Sequence, residues 1–424
     1  MSIDIVLATV GILGMLVATI SARMRRLPLS EPLIALVAGV LLGPAVMGVL
    51  PIEPLTSEQA FLHEASGVLL AISVMAVALR FPLSVVRERW RPVLLLVVLV
   101  MPLMAIASAA ISWAVLDISI AAALLLGAAI SPTDPVLASS VVTGEAAEQD
   151  LPARDRHLLS LESGANDGLA LPLVLVALAI AGTSSVPSAL VESLWQVMGG
   201  IVVGALAGGL GGAAMRMGDK HGATASAPAL FFTVVLALGT LGISGITHVD
   251  GVLAVFVAGL AFNLVATGGE RTSEAPIDEA INRFAVLPLF LVLGAALPWT
   301  EWGALGWNGL VLVVAILLLR RVPPLLVLAR ALRLPVADAL YLGWFGPVGV
   351  AALFYLTLEA ARGGASATIL AAGSLVLVCS TVVFGLTGAP GRALYRKSTA
   401  RAGASASRDK HGRAGTGSPG TGDQ

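Results

Sequence analysis

Thirteen long stretches of nearly uninterrupted apolar sequence, separated by short charged segments, dominate this chain. They run approximately over 4–22, 30–50, 61–79, 92–115, 118–143, 157–181, 193–215, 227–246, 250–267, 281–298, 305–329, 336–360 and 367–390. A helix rising about 1.5 Å per residue needs roughly 20 residues to cross the hydrocarbon of a bilayer. Most of the stretches meet that length, which predicts an all-α polytopic membrane protein of about 13 transmembrane helices. Composition agrees, since 57% of the 424 residues are hydrophobic and only 12% are charged, about half the charged share of a soluble domain. A soluble enzyme, a disordered scaffold and a nucleic-acid partner are excluded on these figures. The formal net charge of −1 gives no footing to a polyanion. The single Cys379 and five scattered histidines offer neither a disulfide framework nor a Cys/His metal site.

Charge placement tests the count, because Lys and Arg favour the cytoplasmic side of short loops. Arginines 23, 25 and 26 follow the first stretch, and arginines 80, 87, 89 and 91 the third. Arg154 and Arg156 follow the fifth, Arg216 and Lys220 the seventh, Arg271 and Arg283 the ninth, and Arg330 and Arg333 the eleventh. Basic residues from Arg392 to Arg413 follow the thirteenth. The alternate connections hold Glu53, Glu58, Asp117, Glu192, Asp250, Glu301 and Glu359, with Arg362 their one basic residue. A miscounted span would put the basic loops out of phase. The pattern therefore places the amino terminus outside and the carboxyl terminus in the cytoplasm. The first stretch lacks a basic leader and a small-residue cleavage site, so it is expected to be a retained helix. Trp299, Trp302 and Trp307 cluster at an outer boundary, as interfacial aromatics do. Residues 1–395 read as the transmembrane domain, and 396–424, rich in Gly, Ser, Ala and Thr, as a disordered cytoplasmic tail.

An ionisable group at membrane depth costs several kcal/mol, so each one inside a span marks a working part. Ser131-Pro132-Thr133-Asp134-Pro135 interrupts the fifth stretch. Its two prolines remove backbone donors and clash with the preceding turn, so the helix breaks there. Non-helical backbone at that depth must be buried in protein or line a wet cavity. Freed carbonyls and the Asp134 carboxylate suit a small cation, or Asp134 caps the second half-helix; both can hold.

In the sixth stretch, Glu162-Ser163-Gly164-Ala165-Asn166-Asp167 brings Glu162 and Asn166, and Ser163 and Asp167, into i,i+4 register. Glu162 lies either in the membrane or in the solvated interface. Asp167 lies about 7 Å deeper. Arg320 and Arg321 sit near the end of the eleventh stretch. A buried arginine there needs a carboxylate partner, for which Glu162 stands at a comparable depth, or both arginines snorkel to the inner surface. Finally, Gly343-Trp344-Phe345-Gly346-Pro347-Val348-Gly349 breaks the twelfth stretch. Two broken helices of opposite direction, near 131–135 and 346–349, are the pattern of an inverted-repeat transporter with its site between them. Span seven carries glycines at 199, 200, 204, 208, 209, 211 and 212, which allow close helix packing within the core or between subunits.

These motifs together resemble the monovalent cation/proton antiporter superfamily. The Thr133-Asp134-Pro135 break, the Glu-Ser-x-x-Asn-Asp run at 162–167 and the Gly-Pro-x-Gly break carry the likeness. The Asn166-Asp167 pair, in place of Asp-Asp, is similar to the electroneutral NhaP-like sodium/proton exchanger branch. The resemblance covers nearly all of 1–395. It implies interleaved core and dimerisation helices, inverted repeats with two crossed discontinuous helices, and a homodimer in the cell membrane. It further implies that Asp167 accepts Na⁺ and H⁺ with Asp134, Ser163 and Thr133 as neighbouring Na⁺ ligands, and that Asn166 holds the unwound segment. Glu162 with Arg320 or Arg321 becomes a structural ion pair. Pro132, Pro135, Gly346, Pro347 and Gly349 become the helix breaks. No cofactor is implied beyond the transported ions.

Two departures from the family stand out. Many relatives carry a basic residue in the second break where this chain has Val348, so one compensating charge for the helix ends is expected to be missing. Some place an acid in the third span, where this chain reads Ala71-Ile72-Ser73-Val74-Met75-Ala76-Val77-Ala78-Leu79. The expected mechanism is competition of Na⁺ and H⁺ for one carboxylate alternately exposed to either side, without ATP. A K⁺/H⁺ antiporter of the same architecture is the alternative. An intramembrane aspartyl protease would use two such acids, but Asp167 lacks the Gly-x-Gly-Asp context.

Overall fold

The computed structural model describes residues 30–57, 59–81, 83–142, 145–221, 229–266 and 286–414, with isolated positions before residue 30. The first predicted span, its arginines, and Glu58, Arg271 and Arg283 lie outside the described residues. The described residues form helices and connecting turns only. Among the described residues six helical stretches are long and apolar enough to cross a membrane, and five further apolar helices are shorter.

The second and third predicted stretches appear as α1 (Glu31–Leu42) and α2 (Ala60–Arg80). In the fourth, α3 (Leu83–Leu95) passes through a π-helical turn, Leu96–Val100, into α4 (Met101–Leu116). Pro102 cannot donate to the turn before it, and the wider turn accommodates the loss. The fifth stretch divides into α5 (Ile120–Ala129) and α6 (Pro135–Val142) on either side of the predicted break. The sixth divides too, into α7 (Ala153–Leu169) and α8 (Leu171–Ile180). Pro172 in the first turn of α8 explains that division, since it cannot donate to the carbonyl of Gly168.

Next come α9 (Val186–Lys220), α10 (Ala229–Ile246), α11 (Gly251–Val265) and α12 (Leu287–Ala295). The eleventh stretch is α13 (Trp299–Leu319) followed by α14 (Val322–Leu328), whose Pro323-Pro324 pair needs a fresh helix start. The twelfth is α15 (Val336–Trp344) and α16 (Val350–Ala361), and the thirteenth opens α17 (Ala367–Ala414). That last helix continues through much of the segment read as a disordered tail, which is rich in the helix formers Ala, Arg and Lys.

The glycines of α9 resolve into a face. A Cβ at Gly200 would lie 2.8 Å from the Asp250 carbonyl, and one at Gly212 2.9 Å from Val265 Cβ. Gly204 and Gly208 press in the same way on the carbonyls of Ala254 and Ala258. This four-residue spacing seats α9 on α11 within one chain, whereas Leu194, Met198, Val202, Leu206 and Leu210 point outward and are exposed. An apolar outward face of that length is what a bilayer covers. At the end of the bundle bearing the basic loops, Tyr395 of α17 donates to Asp338 at 2.8 Å and Arg396 reaches Asp150 at 3.0 Å. Arg154 donates to the Leu332 and Arg333 carbonyls, at 3.1 and 2.9 Å.

Of two acids that the sequence places in connections, Asp250 does lie in one, at a helix start, and Glu359 lies inside a helix. Asp250 is buried and caps α11, accepting the Leu253 N–H at 2.9 Å. Glu359 is fully buried in the last turn of α16. Hydropathy windows end where a charge appears, so an acid inside the last turn of a span is misread as its loop.

Candidate ion-binding site

The two broken helices cross. Pro132 and Pro135 end α5 and begin α6, and the Asp134 N–H between them donates to the Pro347 carbonyl in the second break at 2.9 Å. Four helix ends therefore meet at one place, two with unsatisfied carbonyls and two with unsatisfied N–H groups. Each kind is met by one buried side chain. Asp134 Oδ1 accepts the Leu137 N–H of α6 at 2.8 Å, and its Oδ2 accepts the Val350 N–H of α16 at 2.6 Å. The capping alternative thus holds at both half-helices, and the carboxylate lies against their positive ends.

Arg320 does the converse. Its guanidinium donates to the carbonyls of Ile130 and Gly346, which close α5 and follow α15, and lies 3.5 Å from the Pro132 carbonyl. The compensating charge expected to be missing at Val348 is therefore supplied by α13. Val348 itself donates its N–H to Ser380 at 2.8 Å. Neither arginine snorkels, as Arg320 and Arg321 are 3% and 2% exposed.

Arg321 forms the ion pair. Its two terminal nitrogens meet the two oxygens of Glu162 at 2.8 Å each, with both side chains buried, and its Nε donates to the Leu342 carbonyl at 2.9 Å. A paired fork of this kind satisfies both charges where water is absent. Glu162 is thus in the interior, 1% exposed, and not in a solvated interface. The glycines of the second break make room for these groups: a Cβ at Gly346 would strike the Arg321 side chain, and one at Gly349 the Asp134 carboxylate.

Asn166 straps α7 to the first break. Its Oδ1 accepts the Thr133 N–H at 3.2 Å, and its Nδ2 donates to Thr133 Oγ1 and Glu162 Oε1 at 2.9 Å. Thr133 and Ser163 share a hydroxyl hydrogen bond of 2.9 Å. Thr133, Ser163, Asn166, Glu162 and Arg321 so form one connected, buried set.

Asp167 differs from all of them. It is fully buried on α7, one turn beyond Ser163, and neither carboxylate oxygen has a hydrogen-bond partner. Asp134 and Glu162 are the two negative charges whose fields reach it. Its backbone, in contrast, is held: the Tyr355 hydroxyl of α16 donates to the carbonyls of Asp167 and Gly168, supplying the donor that Pro172 withholds. Neither Tyr355 nor Arg320's service to the carbonyls was visible in the sequence, since tyrosine spacing carries no mark of it and adjacent arginines look alike. On its other side α7 lies close to α11. A Cβ at Gly168 would come within 2.7 Å of the Leu253 nitrogen, and one at Gly164 within 2.8 Å of the Phe256 ring.

An unpartnered carboxylate without water is stable only as the neutral acid or with a cation at hand. Hydroxyl oxygens of Ser163 and Thr133 lie along the same stripe and break, so hard oxygen donors are available to a small cation.

Known proteins resemble this chain in sequence and in fold. The model of a family described as a transmembrane sodium/hydrogen exchanger matches residues 12–391. The Na⁺/H⁺ antiporter 2 of Zygosaccharomyces rouxii is 31% identical over 81% of this chain and 44% of its own length. The Na⁺/H⁺ antiporter of Saccharomyces cerevisiae is 29% identical over 85% of this chain and 38% of its own. The chain thus spans less than half the length of these relatives. The solved structure of the sodium proton antiporter MjNhaP1 from Methanocaldococcus jannaschii at pH 8 superposes with a TM-score of 0.73, covering 93% of this chain and 99% of that one at 18% identity.

Proposed function

The chain belongs to the sodium/hydrogen exchanger family, and from that premise we propose that it exchanges Na⁺ for H⁺ across a membrane by alternating access, with Asp167 binding each ion in turn. The observation that carries this reading is the bare carboxylate of Asp167, buried beside a crossing whose other charges are all engaged. Ionised and empty, that group is too costly to bury, so the site moves only when loaded with a proton or a cation. Mutual exclusion at one carboxylate then couples the two fluxes. Ser163 and Thr133 contribute hydroxyl oxygens to Na⁺, and Asp134 lies close enough to favour a cation while holding the helix ends.

The names of the relatives support sodium over potassium. The close approach of α7 to α11, where Gly168 faces the Leu253 backbone and Gly164 the Phe256 ring, supports movement of one helix set past the other, since glycines leave a smooth surface there. The alternation of basic and acidic connections supports an amino terminus outside and a carboxyl terminus in the cytoplasm. A homodimer in the cell membrane completes the reading.

The test is proton movement in proteoliposomes on adding Na⁺, Li⁺ or K⁺ in turn at several pH values. Na⁺ is expected to drive proton release from wild type. No response to any cation would sink the exchange reading, and a response to K⁺ alone would overturn sodium.

A further inference from the structure

Among the described residues, Glu359 is the other fully buried acid whose two oxygens have no hydrogen-bond partner. It occupies the end of α16 that the charge pattern places outside, two residues before the exposed Ala361 and Arg362. Its backbone is fixed, because its carbonyl accepts the N–H groups of Gly364 and Ala365 at 2.8 and 3.2 Å as the helix turns off through Gly363, φ +75°. One turn inward on the same helix face stands Tyr355, whose hydroxyl holds the backbone of Asp167. A single stripe of α16 therefore links a buried carboxyl group just beneath the outer surface to the residue proposed to bind the ions, about 6 Å of helix rise further in.

Among the described residues no charged group pairs with it. Of the helices packed against α16, α5 and α8 carry no ionisable residue, and α17 brings the thiol Cys379 and no charged residue before Arg392, far toward the opposite end. α2 brings His63, Glu64 and Arg80, and His63 is engaged with Thr357 Oγ1 at 3.1 Å and stacked on Phe354. Arg362, past the helix end, pairs with Glu192 at 2.9 Å. An isolated carboxylate in that setting is untenable, so the group is buried as the neutral acid.

We propose that Glu359 is a second proton-binding group of the protein, which takes up a proton from the outer water as the outer face closes and releases it there when that face opens. The transfer is of a proton alone, onto one carboxylate oxygen and back to water, with no other bond made or broken. This rests on the exchange reading for its consequence. Closure of the outer face then requires protonation, and the closed population falls by up to about tenfold per pH unit once the outer water is alkaline enough to ionise the open-state group. Outer pH acts on the exchanger at a place other than Asp167.

The experiment compares wild type with Glu359→Gln, a neutral isostere, in proteoliposomes with inner pH and Na⁺ held fixed while outer pH is raised. Wild type is expected to lose exchange on the alkaline side, and E359Q to keep it, flattening the outer-pH profile while the inner-pH profile is unmoved. Superimposable outer-pH profiles would overturn the proposal. Infrared difference spectra of the purified proteins give an independent reading: the C=O stretch of a protonated carboxyl group present in wild type should be absent from E359Q and still present in D167N. Its absence from wild type would equally overturn the proposal. If wild type exchanges no cation, the functional reading fails, and the infrared spectra still decide the protonation of Glu359.

Discussion

Asp134 lies in a helix break and Asp167 in the last turn of α7; both are buried, and they are close enough for one to feel the other's charge. Asp134 spends both oxygens on the N–H groups of two half-helices, at 2.8 and 2.6 Å, and is balanced across the crossing by Arg320. Asp167 spends neither. The same side chain is thus a joint in one place and an open ligand thirty-three residues on. The difference lies in how many backbone donors the surrounding helix ends leave over. The crossing has four ends in need and takes up Asp134 and Arg320, while Asp167 sits inside a helix whose own N–H groups are already taken.

The sharpest way to break this contrast is Asp167→Asn. It should abolish Na⁺-dependent proton movement while leaving the melting temperature at or above that of wild type, because a bare acid stabilises nothing. Exchange at the normal rate would show that the open carboxylate is not the carrier. Asp134→Ala should do the reverse in kind. It removes two charge-assisted bonds and leaves Arg320 uncompensated, a loss of about 3–5 kcal/mol, read as a lowered unfolding midpoint in detergent. A stability equal to wild type would mean that the crossing does not depend on it.

Smaller effects sharpen the same line. Gly349→Ala pushes a methyl group into the Asp134 carboxylate and should cost about 1–3 kcal/mol, a penalty that Asp134→Ala in the same chain relieves. A double-mutant cycle that is merely additive would deny the contact. Tyr355→Phe removes one donor from the carbonyls of Asp167 and Gly168 and should cost about 1 kcal/mol, with a lower transport rate if the carboxylate's aim depends on its backbone.

Much of this was legible beforehand, and the reasons are physical. Apolar runs of bilayer length give the spans, paired prolines and the Gly-Pro-x-Gly run give the breaks, and helical spacing puts Glu162 beside Asn166. What sequence leaves open is settled by partners far along the chain. Arg320 and Arg321 are adjacent and chemically identical, and only the third dimension sends one to carbonyls at residues 130 and 346 and the other to Glu162. The charge lost at Val348 is regained from α13, a substitution across helices that no local window reveals. Asp134's second bond joins it to Val350, 216 residues away. Glu359 was hidden by its own charge, which marks the end of an apolar window whether or not the helix ends there. The reading of Asp134 as a cation ligand and of its role as a cap rest on the same atoms, and its caps occupy one lone pair of each oxygen.

The balance struck at the crossing bears on how membrane voltage acts on this protein. Moving one elementary charge through 100 mV involves about 2.3 kcal/mol. Asp134 and Arg320 serve the same crossing and Glu162 pairs with Arg321, so these four groups together sum to no net charge. Asp167 carrying one proton or one sodium ion is neutral as well, and Glu359 held as its acid adds nothing. On the proposed exchange reading the loaded assembly is then electrically silent in both directions of the cycle. A membrane potential is expected neither to drive it nor to hold it back, leaving the two ion gradients to set the direction of flow.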